Sequence, residues 1–329
     1  MFTALAAWWY DKNIFGNQWI FIKGRKLRVK RSGMRRLAAF AAAAALVLGL
    51  VGCGGAQSTA QGNTEPVNLS VWTYYNGDQL ESFNKLVDTF NNTVGKEKNI
   101  TVESYSQGSV DDLEAQVMAA AQGKVGASAM PNIFMAYADT AYAMDQMGEL
   151  ADLAPYFTDE ERAAYLDSYL TEGDFDDSGS IKIFPVAKTT DAEVEASVVF
   201  LKWFTQPENN IAFAVGSGYL PVTHAANDMD AIHSSGLALT GSMENVLTEA
   251  VDAVNTNELY TTKAFEGGTD ARSKLNYSMS DLATADRATV EERLAAGESA
   301  EEAEAEFLTD AYFEAWYQSL CDALSQYEG

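Results

Sequence analysis

The chain has 329 residues, of which 47% are hydrophobic and 21% charged, and this composition indicates a globular protein with one large domain or two smaller ones. Its formal net charge is −25 at pH 7, although residues 1–36 carry nine Lys or Arg against one acid. The rest of the chain is therefore strongly acidic. Such a charge disfavours nucleic acid and acidic partners, and it is typical of a protein that works outside the cytoplasm.

A targeting segment is predicted to begin at Met34, which we expect to be the true translation start. Two arginines precede an uncharged, mostly apolar run of 14 residues, Leu37 to Leu50, which is short for a transmembrane helix and typical of a signal-peptide core. The run leads into Leu-Val-Gly-Cys at Cys53, which resembles the lipobox of bacterial lipoproteins. The resemblance implies cleavage before Cys53 and anchoring through acyl chains on its sulfur. An uncleaved anchor with an incidental cysteine is the alternative.

Strand and helix patterns alternate three times after a flexible polar tether at residues 54–66. In chain order we predict strand 68–75, helix 78–92, strand 99–105, a helix that Ser109 and Asp112 open as a capping box, strand 132–137 and helix 140–150. Three strand–helix pairs in succession indicate a parallel sheet covered by helices.

The pattern changes further along the chain. We predict helix 158–170, strand 180–187 and then only helices, at 190–204, 207–215, 242–254, 288–306 and 310–326. The acidic segment 291–306 predicts a solvated helix face and not a metal site. Cys321 shares a helical stripe with Phe313 and Trp316, which predicts a buried thiol. If Cys53 is lipidated, no disulfide framework is possible.

Several stretches together resemble the extracellular solute-binding proteins of ABC importers, in the family that binds sugars and glycerol phosphates. They are the lipobox with LSVWTYYNG and LESFNKLVDTFN, then MPNIFMAYAD with GELADLAPYF, then FLKWFTQPENNIAFAVGSGYLPV at 200–222, and finally AFEGGTDARSKL with FEAWYQSL. The resemblance covers nearly everything after Cys53. It implies two α/β lobes with a ligand in the cleft between them, non-covalent capture of the solute and delivery to ABC permease subunits.

The candidate ligand-binding residues follow from strand ends and from the resemblance. Ligands of open α/β sheets bind beyond the carboxyl ends of strands, where aromatic rings can stack on sugar rings and polar side chains can pair with hydroxyls. That rule selects Trp72, Tyr74, Tyr75, Tyr137 and Asp139, and the resemblance adds Thr189, Thr190, Tyr219 and Arg272.

Each candidate also has a structural alternative that stays open. Trp72 and Tyr74 can belong to the core, and Tyr219 can brace a turn. Thr190 with Glu193 forms the pattern of a capping box, and Arg272 can be a surface residue.

The stretch IFPVAKTTDAEVEASVVFLKWF, at residues 183–204, departs from the family pattern. Family members continue after the Ser-Thr position with a long segment that contains most of the second lobe, whereas here a late family helix follows at once. We therefore predict a periplasmic-binding-protein-like α/β fold that lacks a long central segment. In it, 67–190 form the first lobe and 191–329 a helical remainder. The functional alternative is an internally deleted remnant, loosely packed, that no longer binds solute.

An enzyme is the third hypothesis, and the sequence disfavours it. The chain contains two histidines, His224 and His233, and it lacks Gly-x-Ser-x-Gly, His-Glu-x-x-His and a glycine-rich phosphate loop. We predict no catalytic residue, no metal site and no cofactor. The expected partners are a small solute and the ABC permease subunits. Lipidated Cys53 is expected to anchor the protein to the outer face of the cell membrane. Sugars, oligosaccharides and glycerol-phosphate compounds all remain candidates for the solute.

Overall fold

A computed structural model describes residues 65–259 and 264–327 of the chain. The predicted signal peptide, Cys53 and nearly all of the tether lie outside these described residues. Within the two ranges, no helix combines the length and the apolar character that are needed to cross a bilayer.

A small parallel sheet organises the first half of the described chain. Its strands β1 (Val67–Thr73), β2 (Ile100–Ser106) and β3 (Ile133–Phe134) lie in the order β2-β1-β3, and both pairings are parallel. Helices α1 (Gly77–Asn92), α2 (Val94–Lys98), α3 (Val110–Ala121) and α4 (Ala138–Gln146) connect and follow these strands. The predicted α/β class with a parallel sheet is confirmed.

Helices make up most of the remainder. They are α5 (Asp159–Ala163), α6 (Asp167–Thr171), α7 (Asp191–Phe204), α8 (Pro207–Ser217), α9 (Met229–Ser234), α10 (Gly241–Thr256), α11 (Gly268–Ala296), α12 (Ala300–Glu304) and α13 (Asp310–Ser325), with single 3-10 turns at Ala154–Tyr156 and His224–Ala226.

Alternation of side chains along β1 divides the core between the two faces of the sheet. Leu69 and Val71 point into a cluster with α1, α7 and α8 that contains Phe83, Phe90 and Phe200. Trp72 points the other way, into a second cluster that contains Leu113 of α3 and Met144 of α4. We call Thr190, where the central family segment is predicted to be missing, the join. The helices on both sides of the join therefore bury their apolar faces against one sheet.

Two predicted elements between β3 and α7 are wrong. The predicted helix 158–170 is broken into α5 and α6, because Tyr165 forms an antiparallel bridge with Thr223 and the amide of Leu166 donates to the carbonyl of Val222. The predicted strand 180–187 makes only isolated antiparallel bridges, to Ile133 and Leu150. It contains Pro185, which has no amide hydrogen to donate to a ladder.

Three further predictions are corrected by the structure. The strand predicted at 132–137 is only two residues long, as β3. The helix predicted at 288–306 instead begins at Gly268 and ends at Ala296, before Gly297, whose φ is 99°, and the chain resumes as the short α12. Cys321 is only partly buried, because α13 exposes its apolar stripe: Phe313 is 53% exposed.

The join at Thr190 has sound local chemistry. Thr190 is the N-cap of α7, its hydroxyl accepts from the amide of Glu193, and the Glu193 carboxylate accepts from the Thr190 amide. The hydroxyl also donates to that carboxylate at 2.8 Å, and this bond is the main cause that lowers the pKa of Glu193.

We expect Thr190→Ala to lower the free energy of unfolding by about 1 kcal/mol, since it removes the N-cap. Thr190→Ser keeps the hydroxyl and should restore most of the loss. Because the lowered pKa of Glu193 stabilises the fold above its unfolded pKa, the loss should shrink as the pH falls through the folded pKa. Urea unfolding at pH 7 and at acidic pH measures the loss of stability. Equal stability of the Thr190→Ala and Thr190→Ser variants would contradict the prediction.

Candidate functional site

Two tyrosines meet at the carboxyl end of β1. Tyr74 follows this strand directly, and Tyr219 lies just after α8, on a chain reversal that Gly218 begins with a φ of 80°. Their hydroxyl oxygens are 3.1 Å apart. Burial, and next the proximity of Tyr219, raises the pKa of Tyr74 far above its usual range, so this phenol stays neutral and offers one donor and one acceptor.

The two neighbouring candidates, Trp72 in β1 and Tyr75 two residues beyond its end, are more deeply buried. Tyr75 is 7% exposed and packs its ring against Phe83, Phe213 and Tyr219, with ring centroids 5.4 to 5.9 Å apart. Trp72 is also 7% exposed, on the opposite face of the sheet. Both side chains support the wall of the site from within the core, and a ligand role for them stays a prediction.

An ion cluster joins the start of α4 to α11. The Arg272 guanidinium donates to Asp139 at 2.7 Å and to Glu114 of α3 at 2.5 Å. It also lies 4.7 Å from the centre of the Tyr137 ring, a cation–π distance. The backbone at Gly268 makes the close approach of α11 possible, since a Cβ there would come within 3.0 Å of the Asp139 Cβ.

The tyrosine pair and the ion cluster are neighbours. Tyr74, Glu114 and Tyr137 line the same narrow cavity of about 10 Å³, which is roughly the space of one water molecule. The structure therefore brings together Tyr74, Tyr219, Tyr137, Asp139 and Arg272, five of the nine predicted residues. Sequence reasoning missed Glu114, because a single acid within a helix carries no distinguishing pattern.

Thr189 and Thr190 lie away from this group. The segment before them runs antiparallel to β3: the Phe134 amide donates to Pro185, and the Ala187 amide donates to Asn132. Asn132 precedes β3 and Tyr137 follows it, so the chain has travelled to the amino end of the strand before it reaches the two threonines. A ligand role for Thr189 and Thr190 is a prediction that this placement does not support.

A larger cavity of about 210 Å³ adjoins the ion cluster. Tyr137 lines it on one side, and Tyr169, Glu172 and Phe175, from α6 and the turn after it, line another. Lys182 also borders it and is paired with Asp145 at 2.8 Å. Sequence reasoning missed this cavity, because the contributing residues come from the segment whose predicted helix and strand are both broken.

The chemistry of these groups suits recognition without covalent steps. Among the described residues, no group of three or more His, Cys, Asp or Glu side chains could hold a metal ion. The site offers neutral phenols, aromatic rings, carboxylates and one guanidinium, which are groups that pair with hydroxyls and stack on rings.

A family model described as bacterial extracellular solute-binding protein matches residues 85–190 and, separately, residues 184–240. The two matches overlap, so FPVAKTT at 184–190 matches twice. A chain without the family segment between two similar stretches would produce such a pattern. The search of curated proteins returned no match to the chain.

A solved structure of this type shares the fold, and two others align less closely. An extracellular solute-binding protein of family 1 from Alicyclobacillus acidocaldarius aligns with a TM-score of 0.50 at 8% identity, over 80% of this chain and 100% of its own. A cyclic alpha-maltosyl-1,6-maltose binding protein from Arthrobacter globiformis gives 0.48 at 13% identity, over 79% and 100%. UgpB from Mycobacterium tuberculosis, in complex with glycerophosphocholine, gives 0.47 at 11% identity, over 65% and 93%.

Proposed function

We propose that this protein captures a small solute of the carbohydrate type and presents it to an ABC importer, because residues 85–190 and 184–240 match the bacterial extracellular solute-binding protein family. The family is one of binding proteins and not of enzymes. The observation that carries the proposal is the convergence of Tyr74, Tyr219, Tyr137, Asp139 and Arg272 beyond the carboxyl ends of β1 and β3. Ligands of open α/β sheets bind at this edge.

Each group in the site has a role in solute binding. The Tyr137 ring is 38% exposed, so part of it can contact the apolar face of a sugar ring. The hydroxyls of Tyr74 and Tyr219 can exchange hydrogen bonds with each other for bonds to a solute hydroxyl. Asp139 is 9% exposed and its carboxylate already accepts from Arg272, so the pair is held in place before any solute arrives.

The proposal also includes a lipid anchor and a location outside the cytoplasm. Lipidation of Cys53 would hold the protein on the outer face of the membrane, with residues 54–66 as a tether to the first lobe at 67–190 and the helical remainder at 191–329. The match to an extracellular family supports a position outside the cytoplasm. Delivery then requires contact with the permease subunits.

A specific observation favours the second candidate, a non-binding remnant. The double match of residues 184–190 agrees with the loss of a central segment at the join. In addition, the Arg272 guanidinium occupies part of the Tyr137 ring surface and both nearby carboxylates. A site formed by the first lobe alone buries less of a solute than a cleft enclosed between two lobes, and this weakens binding.

Thermal unfolding with a panel of monosaccharides, oligosaccharides and glycerol phosphodiesters tests the capture function. A solute that binds the native state at 100 times its Kd should raise the free energy of unfolding by about 2.7 kcal/mol. We expect Tyr137→Ala to weaken binding of that solute roughly tenfold, since it removes the stacking surface.

The matched control is Tyr317→Ala, which removes an exposed tyrosine from α13 and should leave the affinity unchanged. No stabilisation by any member of the panel would support the remnant. Equal effects of the two tyrosine variants would contradict the placement of the site.

A further inference from the structure

The cavity of about 210 Å³ beside Tyr137 has the size of a small solute. Drug-sized ligands occupy roughly 300 to 1,000 Å³, so this cavity suits a molecule no larger than about one sugar ring. Aromatic side chains line three parts of it: Tyr137 before α4, Tyr169 in α6 and Phe175 in the following turn. Phe175 is held edge-on against Tyr142, with ring centroids 5.6 Å apart.

One charged group in the cavity lacks a partner. No hydrogen bond or ion pair joins the Glu172 carboxylate to a residue in the described ranges, although the side chain is only partly exposed. Lys182, the cation that borders the cavity, is neutralised by Asp145 at 2.8 Å. Glu172, Lys182 and Asp145 together carry one net negative charge. Because Lys182 and Asp145 neutralise each other, that charge resides at Glu172.

The electrostatic cost of this arrangement is visible in the pKa values. Burial raises the pKa of Glu172 because no cation compensates its charge. Burial is also the main cause that raises the pKa of Tyr169, with smaller contributions from Tyr165 and from the negative charge of Glu172. A positive charge inside the cavity would relieve both effects.

We propose that this cavity binds a small organic cation, a solute with an ammonium group, with Glu172 as its counter-ion and the rings of Tyr137, Tyr169 and Phe175 as its walls. Aromatic rings around a carboxylate are the environment that attracts ammonium groups, through cation–π contact and charge pairing. An anionic solute would have to displace Asp145 from Lys182 and would meet the uncompensated Glu172. The inference rests on the proposed function, because it names the charge of the solute captured at this edge of the sheet.

Two matched pairs of probes separate charge from shape. Choline and 3,3-dimethylbutan-1-ol have nearly the same shape, but only choline is charged; glucosamine and glucose differ in the same way at one ring position. Calorimetry on the mature protein should show choline or glucosamine binding at least about tenfold tighter than its neutral counterpart. Equal affinities within both pairs would overturn the proposal.

Substitution of the carboxylate gives a second, independent readout. Glu172→Gln should reduce the preference for the charged probe by about tenfold or more while raising the melting temperature of the free protein at pH 7. The rise follows from the sign of the shift: a carboxyl with a raised folded pKa destabilises the fold once it is ionised, and glutamine mimics the neutral form. Glu160→Gln, which removes an exposed charge on α5, should change neither quantity.

The outcomes distinguish this inference from the function on which it rests. If neutral sugars from the panel bind and both ammonium probes do not, solute capture stands and the cation site is wrong. If no probe of either kind binds, both fail. If choline binds equally well to the Glu172→Gln and native proteins, the cation is held elsewhere and the assignment to this cavity is overturned.

Discussion

Phe200→Ala is expected to lower the free energy of unfolding by about 3–5 kcal/mol, the usual cost of deleting a fully buried phenylalanine. Phe200 is 1% exposed and lies in α7, the helix that follows the join at Thr190. Its ring contacts Phe90 of α1, at 5.1 Å between centroids, and Trp203 at 6.3 Å. The residue thus ties the helix after the join to the helix that covers the first strands.

Urea unfolding followed by circular dichroism measures the loss, and Phe313→Ala is the matched control. Phe313 is 53% exposed on α13, so the same substitution there should cost less than about 0.5 kcal/mol. A Phe200 variant no less stable than the Phe313 variant would mean that α7 does not pack on the sheet in solution. That result would favour the loosely packed remnant over a folded binding protein.

The sequence predicted the first half of the fold well because local and tertiary signals agree there. Strand β1 and helix α1 each have one clear period, and Ser109 and Thr190 form the capping boxes that their spacing with Asp112 and Glu193 predicted. The α8 helix likewise begins at a proline in its first turn and ends at a glycine.

Prediction failed where tertiary contacts override local pattern. The helix predicted at 158–170 breaks because Tyr165 and Leu166 pair with the segment around Thr223, a partner nearly sixty residues away that no local period reveals. The apolar stripe of α13 predicts a core helix, yet the described chain covers it only in part: Trp316 and Leu320 are half-buried, whereas Phe313 is exposed.

In the candidate site, too, residues with a local sequence signal were predicted and residues defined by tertiary contacts were missed. Strand ends selected Tyr74 and Tyr137, and the structure brings these two residues together. Glu114 and Glu172 were missed, since their importance comes from which charges surround them after folding. For Arg272, the sequence left open a surface position or a ligand contact, whereas its guanidinium links Asp139 to Glu114.

Arg272→Met should lower the free energy of unfolding by about 2–3 kcal/mol. The substitution leaves two carboxylates close together without their cation, and the Asp139 side chain is only 9% exposed. Removal of one partner from a fully buried pair costs about 3–5 kcal/mol, and we expect less here because the Arg272 and Glu114 side chains are each 22% exposed. Methionine retains most of the apolar length of the side chain, so the loss reports mainly on charge.

Arg287→Met is the control on the same helix. Arg287 pairs with Glu291 four residues later, with side chains 81% and 63% exposed, so its replacement should cost no more than about 0.5 kcal/mol. Adding Asp139→Asn to Arg272→Met removes the stranded charge and should recover part of the stability, whereas Asp139→Asn alone should destabilise. Additive effects of the two substitutions would show that Arg272 and Asp139 are not coupled, and α11 would then be held against α4 by packing at Gly268 and not by charge.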